Sequence, residues 1–326
     1  QTHYSGIGGQ AVLEGVMMKN RDKYAVAVRK PNGEIDVEVE EYKGVCGDKK
    51  FAKLPFIRGV FAFIDSLILG MKVTTYSASF YEEEDEKPSK TEEKLEKLLG
   101  NKADDIMMTF TVILSVIIAV ALFMLLPLFL SDLLGKYIRN ASVIAIIEGI
   151  IRILIFIAYI AGISLMKDIK RLYMYHGAEH KCINCIEKGR PLTVKDVKRS
   201  SRQHKRCGTS FLLFVVLVSV IVFFFIRVDN MALKLVLRIA LVPVIAGISY
   251  EIIRLAGRSD NIVVRIISAP GLWMQKLTTK EPDEDMIEVA IASVEAVFDW
   301  KAYLKETFGY EVDDSWLQDT TTAEEP

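Results

Sequence analysis

The amino-acid sequence predicts an α-helical integral membrane protein with about four transmembrane helices, a small N-terminal β unit and amphipathic cytoplasmic helices. Three observations carry this. Of the 326 residues, 51% are hydrophobic and 25% are charged, a pairing that requires the two kinds to be segregated along the chain. Residues 106–131 and 207–226 hold no charged side chain over 26 and 20 positions, and a helix needs about 20 apolar residues to cross a bilayer. Residues 142–166 and 231–255 are apolar apart from a few charges, among them Glu148, Arg152, Arg238 and Glu251. A charge at mid-bilayer is costly, so those side chains should face protein.

Residues 1–55 read as a cytoplasmic β unit. YAVAVRK and IDVEVEEY flank PNGE, and an Asn-Gly turn between alternating runs is a strong hairpin signal. GGQAVLEGVMMKN ahead of them reads as another strand, its glycines serving tight turns. Residues 56–81 read as an interfacial or re-entrant helix, since Arg58 and Asp65 interrupt its apolar run. Residues 82–105 form a charged linker holding a short helix, with Ser89 and Glu92 as capping box and Gly100 as stop.

Transmembrane helices 1 and 2 are expected in 106–166, a cytoplasmic His/Cys loop in 167–208, and transmembrane helices 3 and 4 in 209–255. The loop carries 12 Lys/Arg against 4 Asp/Glu, whereas 131–141 and 227–230 carry three basic residues between them. The excess of basic residues puts the loop, and with four spans both termini, in the cytoplasm; the first residues lack a signal-peptide pattern, which agrees. Residues 256–326 read as a cytoplasmic amphipathic segment broken at Pro270-Gly271, with Trp273 at headgroup level, then a helix with Ile287, Ile291, Val294, Val297 and Phe298 on one face. Residues 281–326 hold 14 acidic and 2 basic residues, which reads as a solvated tail. The basic loop suits anionic lipid headgroups, and no aromatic residues interleave its charges as nucleic-acid binding would need.

Six of the eight His and Cys residues fall between 176 and 207. In a reducing cytoplasm such clustering points to metal ligation rather than a disulfide. Two ligand sets compete. One is HGAEH, His176, Glu179 and His180, the H-x-x-E-H order of inverted zinc peptidases. Two imidazoles at i and i+4 on a helix can grip one ion, and Glu179 can act on water whose pKa the ion lowers. A third ligand would be His204, Cys207 or Glu251. The other set is Cys182, Cys185, His204 and Cys207, a closed structural zinc site with no open position. Gly177 inside the proposed helix costs about 1 kcal/mol relative to Ala and argues mildly against it.

Together, GGQAVLEGVMMK at 8–19, PFIRGVFAF at 55–63, YHGAEHK at 175–181, HKRCGTSF at 204–211, YEIIRLAGR at 250–258 and PGLWMQKLTTKEPD at 270–283 resemble the YqhQ-like family of bacterial membrane proteins, in order over nearly the whole chain. The resemblance implies a family labelled as predicted metal-dependent enzymes. It implies signature positions at His176, Glu179, His180, His204, Arg206 and Cys207, at Gln10 and Glu14, and at Glu251 with Arg254. Cys182 and Cys185 lie outside that pattern, so the resemblance favours His176, His180 and a residue of the second motif as ligands.

Three functions follow as expectations. A membrane-bound hydrolase would hold zinc through His176, His180 and either His204 or Cys207, with Glu179 as general base and Arg206 binding an anionic group on the substrate. A transporter or channel component would use Glu148 and Arg152 within the membrane and a fourth span broken at Pro243 and Gly247. A non-enzymatic scaffold would use a structural zinc site. Membrane lipids, a homo-oligomer or a membrane complex are the expected partners, and nucleic acid is not.

Overall fold

The computed structural model describes residues 3–47, 49–81, 103–257, 261–309 and 311–312. The expected helix between Ser89 and Gly100 and the end of the acidic tail lie outside these residues.

Strands β1 (Gly8–Val12), β2 (Gly15–Asn20), β3 (Lys23–Arg29) and β4 (Ile35–Glu41) form an antiparallel meander in sequence order. Helix α1 (Ile57–Ser79) follows. Helix α2 (Ala103–Val120) continues through a π-helical turn at Ala121–Leu125 into α3 (Leu126–Gly135). Then come α4 (Ala141–Ile163), α5 (Lys167–Glu187), α6 (Val194–Lys198), α7 (Gly208–Phe224), α8 (Met231–Ala240), α9 (Val242–Ala256), α10 (Ile262–Thr278), α11 (Glu284–Val297) and α12 (Trp300–Phe308). The chain divides into two compact units, one of residues 1–81, 160–215 and 243–326 and one of residues 82–159 and 216–242.

The first unit is built on the sheet, whose two faces are both covered. Val16, Met18 and Ala27 pack with Tyr175, Ala178, Cys182 and Ile183 of α5 and with Met286, Ile287 and Val294 of α11. Val12, Met17, Tyr24, Val26 and Val28 pack against Leu69 and Val73 of α1. Burial on both sides explains why Tyr24 to Val28 lack an exposed polar face. The Asn32-Gly33 hairpin forms as expected, with Asn32 Oδ1 accepting from Glu34 N and Gly33 at φ 89°.

GGQAVLEGVMMKN differs from the single strand expected. It folds back on itself, pairing Gly9 with Met18 and Val12 with Gly15. The turn forms at Leu13-Glu14 without a turn glycine, Glu14 taking φ 50° itself, a conformation that a non-glycine residue rarely adopts. Arg171 and the Tyr175 hydroxyl both bond its carboxylate and hold it there. The acidic segment after 281 is likewise more than a solvated tail. Asp283 caps α11 by accepting from Met286 N, and six residues of that helix are buried. Helix α10 runs through Pro270 without the expected break; Gly271 packs closely on Ser210 and Phe214.

In the second unit, the rod Thr109–Gly135 has 27 residues and α4 has 23, both long and apolar enough to cross a membrane. Helix α8 of this unit and α9, which falls almost wholly in the first, make a third candidate if the bent pair is counted as one span. Helix α7 has only 17 residues, short of the roughly 20 a full crossing takes. The described residues thus hold two or three helices of membrane-crossing length, where the sequence suggests four. Glu148 of α4 is buried between two arginines, with Arg152 Nη2 at 2.7 Å and Arg238 Nη1 and Nη2 at 2.5 and 3.0 Å from its oxygens. Arg152 Nε also donates to the carbonyl of Phe123, inside the π-helical turn, at 3.1 Å. Both guanidinium groups lie 4.8 Å from the Phe223 ring.

Candidate metal centre

Helix α4 ends at Ile163 and α5 starts afresh at Lys167, and α5 presents His176 and His180 on one face, one turn apart. Their ring centroids are 4.4 Å from each other. His176 Nδ1 lies 2.8 Å from the carbonyl oxygen of Thr278, and His180 Nδ1 lies 2.7 Å from that of Arg202. A carbonyl only accepts, so each Nδ1 carries the proton and each Nε2 is left to act elsewhere. His176 Nε2 faces Cys207 Sγ at 3.2 Å. Ligand atoms of His176, His180 and Cys207 all lie within 4.8 Å of one another.

The supports of this trio come from four segments. Lys181 donates to the carbonyls of Lys198 and Ser200, and Asn184 to those of Ser201 and Gln203. These bonds pin the 198–203 loop to α5 and so place the Arg202 carbonyl under His180. Gln275 of α10 clamps the next residues, accepting from His204 N at 2.8 Å and donating to His204 O at 2.7 Å and Ser210 Oγ at 2.8 Å. Gly177 lets the chain at 278–282 come close: a Cβ there would collide with the Lys280 carbonyl. That approach brings the Thr278 carbonyl to His176, so the glycine serves packing despite its cost to the helix.

Charge follows from the same geometry. Burial opposes the charged form of His176, but Cys207 and Glu179 outweigh it and hold its pKa up at about 9. Burial also raises the Cys207 thiol, yet His176 and His180 bring it well below its ordinary value. The cluster therefore stabilises a thiolate. Glu179 is 4% exposed; burial raises its pKa, opposed by the two histidines and by a hydrogen bond from the Gly9 backbone. A Cβ on Gly9 would lie 2.9 Å from Glu179 Cγ and 2.6 Å from the Met17 carbonyl, so the glycine admits this carboxyl beside β1.

The other residues singled out by sequence turn to other partners, although the His204 ring lies 5.8 Å from that of His180. His204 turns its Nε2 to Glu187 Oε2 at 3.3 Å. Arg206 is bonded to the same carboxylate and covers the Tyr4 ring at 3.9 Å. Glu251 is bound by Arg58 at 2.7 and 2.5 Å. Cys182 and Cys185 are fully buried in the core between sheet and helices; burial raises both thiols, that of Cys185 to about 12. The alternative set Cys182, Cys185, His204 and Cys207 is not gathered; among the described residues the His/Cys group of metal-binding spacing is His176, His180 and Cys207. Lys181, Asn184, Gln275 and Thr278 were not singled out by sequence reasoning, although Lys181 lies in YHGAEHK and the latter pair in PGLWMQKLTTKEPD.

Fold and site together define a mainly helical protein with two or three apolar helices of membrane-crossing length, a small antiparallel sheet and a buried His/Cys cluster. Residues 54–300 match the family described as "Protein of unknown function (DUF1385)", and the chain belongs to that family. It is 37% identical over 288 residues to the Uncharacterized protein YqhQ of Bacillus subtilis (strain 168), a match covering 88% of this chain and 90% of that one. No solved structure matches it.

Proposed function

We propose that this chain is a multi-pass membrane protein with both termini in the cytoplasm, and that its sheet-bearing unit holds one zinc ion through His176, His180 and Cys207 for metal-assisted hydrolysis. One observation carries the reading: two Nε2 atoms, whose rings turn Nδ1 to backbone carbonyls, converge with the buried sulfur of Cys207. Locking the far nitrogen of a liganding imidazole is the usual second layer of a metal site. The donor set fits zinc, which takes imidazole nitrogen and thiolate sulfur. Three protein ligands also leave a fourth position open, as catalytic sites do and closed structural sites do not. Zinc there would supply Lewis acidity toward water and toward a substrate carbonyl or phosphoryl oxygen.

The chain's own groups divide the remaining work. His176 and His180 are oriented before any ion arrives, and Cys207 contributes the negative charge. Glu179, next to the trio and shielded from bulk water, accepts a proton from the attacking water and returns it to the leaving group. Arg206 supports the site by holding Glu187 and, through it, the ring of His204. The apolar helices suggest lipid around the second unit, with a homo-oligomer or membrane complex covering the faces they leave open.

A second reading uses the same atoms differently. The 3.2 Å His176–Cys207 contact and the lowered thiol also suit an imidazolium–thiolate pair, a nucleophile with no metal. Metal content by mass spectrometry on protein purified without a His tag separates the two. Near-stoichiometric zinc, lost in His176→Ala and Cys207→Ser but kept in Cys182→Ala, is the expected result. Wild-type protein free of metal would leave the thiolate reading, and zinc lost with Cys182 would overturn the assignment of ligands.

A further inference from the structure

A pocket of about 450 Å3 lies between the β1–β2 hairpin and α1, with Gly6, Gly8, Gln10, Lys19, Arg21 and Asp65 in its wall. This is within the volume range of small-ligand sites. Its charges are unbalanced in a specific way. The Asp65 carboxylate already accepts from the Tyr42 hydroxyl at 2.9 Å and from Val45 N at 2.8 Å. The Lys19 ammonium lies 4.9 Å over the Tyr42 ring, and it makes no hydrogen bond or ion pair among the described residues. Arg21, in a turn at φ 55°, is exposed at the rim without an ion pair there. The Gln10 carboxamide rests against Gly70 of α1 and is also without a hydrogen-bond partner among the described residues.

We infer that this pocket binds a phosphate group, with Lys19 and Arg21 meeting its charge and the Gln10 amide donating to an oxygen. Two cations and a free amide around a glycine wall match an anion that offers several acceptor oxygens. Burial depresses the pKa of Lys19, against the pull of Asp65 and Asp22, which agrees with an ammonium that its surroundings leave under-compensated. Two sources could supply the phosphate. On α1 the pocket takes Asp65 and Leu69, while the opposite face exposes Leu67, Ile68 and Met71. An apolar helix face of that kind suits the surface of a bilayer and would bring lipid headgroups near; a soluble phosphate ester is the other source. The pocket does not depend on zinc.

The test is calorimetric titration of the full-length, detergent-solubilised chain with inorganic phosphate and, separately, with dihexanoyl phosphatidylglycerol below its micelle concentration. Wild type should bind at least one. Lys19→Gln should weaken binding about tenfold or more, and Lys19→Arg should retain it within about threefold. Gly8→Leu is the second variant: a Cβ at Gly8 meets nothing within 4 Å, so the chain should fold with unchanged circular dichroism and the side chain should fill the pocket. Binding of inorganic phosphate would indicate a soluble ester and binding of the lipid alone a headgroup; either supports the pocket. No binding of either probe, or wild-type affinity in both Lys19→Gln and Gly8→Leu, would overturn it.

Discussion

In the helical unit Glu148 sits between Arg152 and Arg238, and each of its oxygens meets a guanidinium. In the sheet-bearing unit His176, His180 and Cys207 turn two ring nitrogens and a sulfur toward one another. Both clusters are buried. The first closes on itself: opposite charges pair, the Phe123 carbonyl takes another N–H, and Arg238 Nε is the one atom of the cluster left buried without a partner. The second brings together two ring nitrogens and a sulfur that, once deprotonated, are electron-pair donors able to hold a cation. Buried polarity alone therefore does not mark a site; what matters is whether the groups complete one another. By that measure the Glu148 cluster favours a structural role over a transport path.

Removing one member should separate the two clusters most clearly. Glu148→Gln leaves two buried guanidinium groups facing each other with no anion, and breaking a buried pair from one side costs about 3–5 kcal/mol. Thermal unfolding of the detergent-solubilised variant should show a large drop, or the protein should fail to accumulate. A variant as stable as wild type would mean that Arg152 and Arg238 reach water or lipid headgroups, and the self-contained reading of the triad would fall.

A third cluster tests whether the same rule holds beside the candidate metal centre. Glu187 lies between Arg206 and His204 and accepts from Ser5. Burial would raise its pKa, but His204 and Arg206 bring it down to about 2, from an ordinary 4.5. A lowered folded-state value means that the ionised carboxylate stabilises the fold above the ordinary range, and that this contribution fades as pH falls from about 4.5 toward 2. The shift corresponds to on the order of 3 kcal/mol. Glu187→Gln should thus lower the melting temperature at pH 7, and its gap from wild type should narrow between pH 5 and pH 3. A gap independent of pH would show that the carboxylate's charge is not what stabilises this cluster.

For the convergent cluster the matching experiment removes the cation. At a free zinc concentration about 100-fold above its dissociation constant, binding adds about 2.7 kcal/mol of stability. A chelator should therefore lower the melting temperature of wild type and leave His176→Ala unmoved. Equal shifts in both proteins would place any bound metal elsewhere.

How much of this was legible in the sequence depended on the range of the forces involved. The Asn32-Gly33 hairpin and the acidic first turn of α11 rest on local chemistry and formed as expected, although α11 stops at Val297, short of the Phe298 expected on its apolar face, and α12 starts afresh at Trp300. The Leu13-Glu14 turn carries no local signal, because its unusual backbone is held by Arg171 and Tyr175, more than 150 residues away. The position of Cys207 beside the histidines, with His204 drawn aside, was illegible for a similar reason. His204 and Cys207 are three residues apart, and what separates their roles is the clamp from Gln275 and the pull of Glu187, neither of them encoded in the HKRC segment itself. Four spans were expected from the length of apolar runs along the chain, and the run at 207–226 forms a helix, α7, of only 17 residues.

Gly177 gives the smallest and sharpest of these tests, since local and tertiary reasoning predict opposite signs. By helix propensity Gly177→Ala should stabilise α5 by about 1 kcal/mol. In the fold the new methyl group would meet the Lys280 carbonyl, and overpacking of that kind costs about 1–3 kcal/mol. The chain at 278–282 would have to retreat, taking the Thr278 carbonyl away from His176 Nδ1 and freeing the ring to rotate. The expected outcome is a modest loss of stability together with weaker zinc retention during dialysis, while Gly162→Ala, where a Cβ meets nothing within 4 Å, should leave zinc retention unchanged. A Gly177→Ala protein that melts higher than wild type and keeps its metal would show that the 278–282 segment yields freely, and that the orientation of His176 does not depend on it.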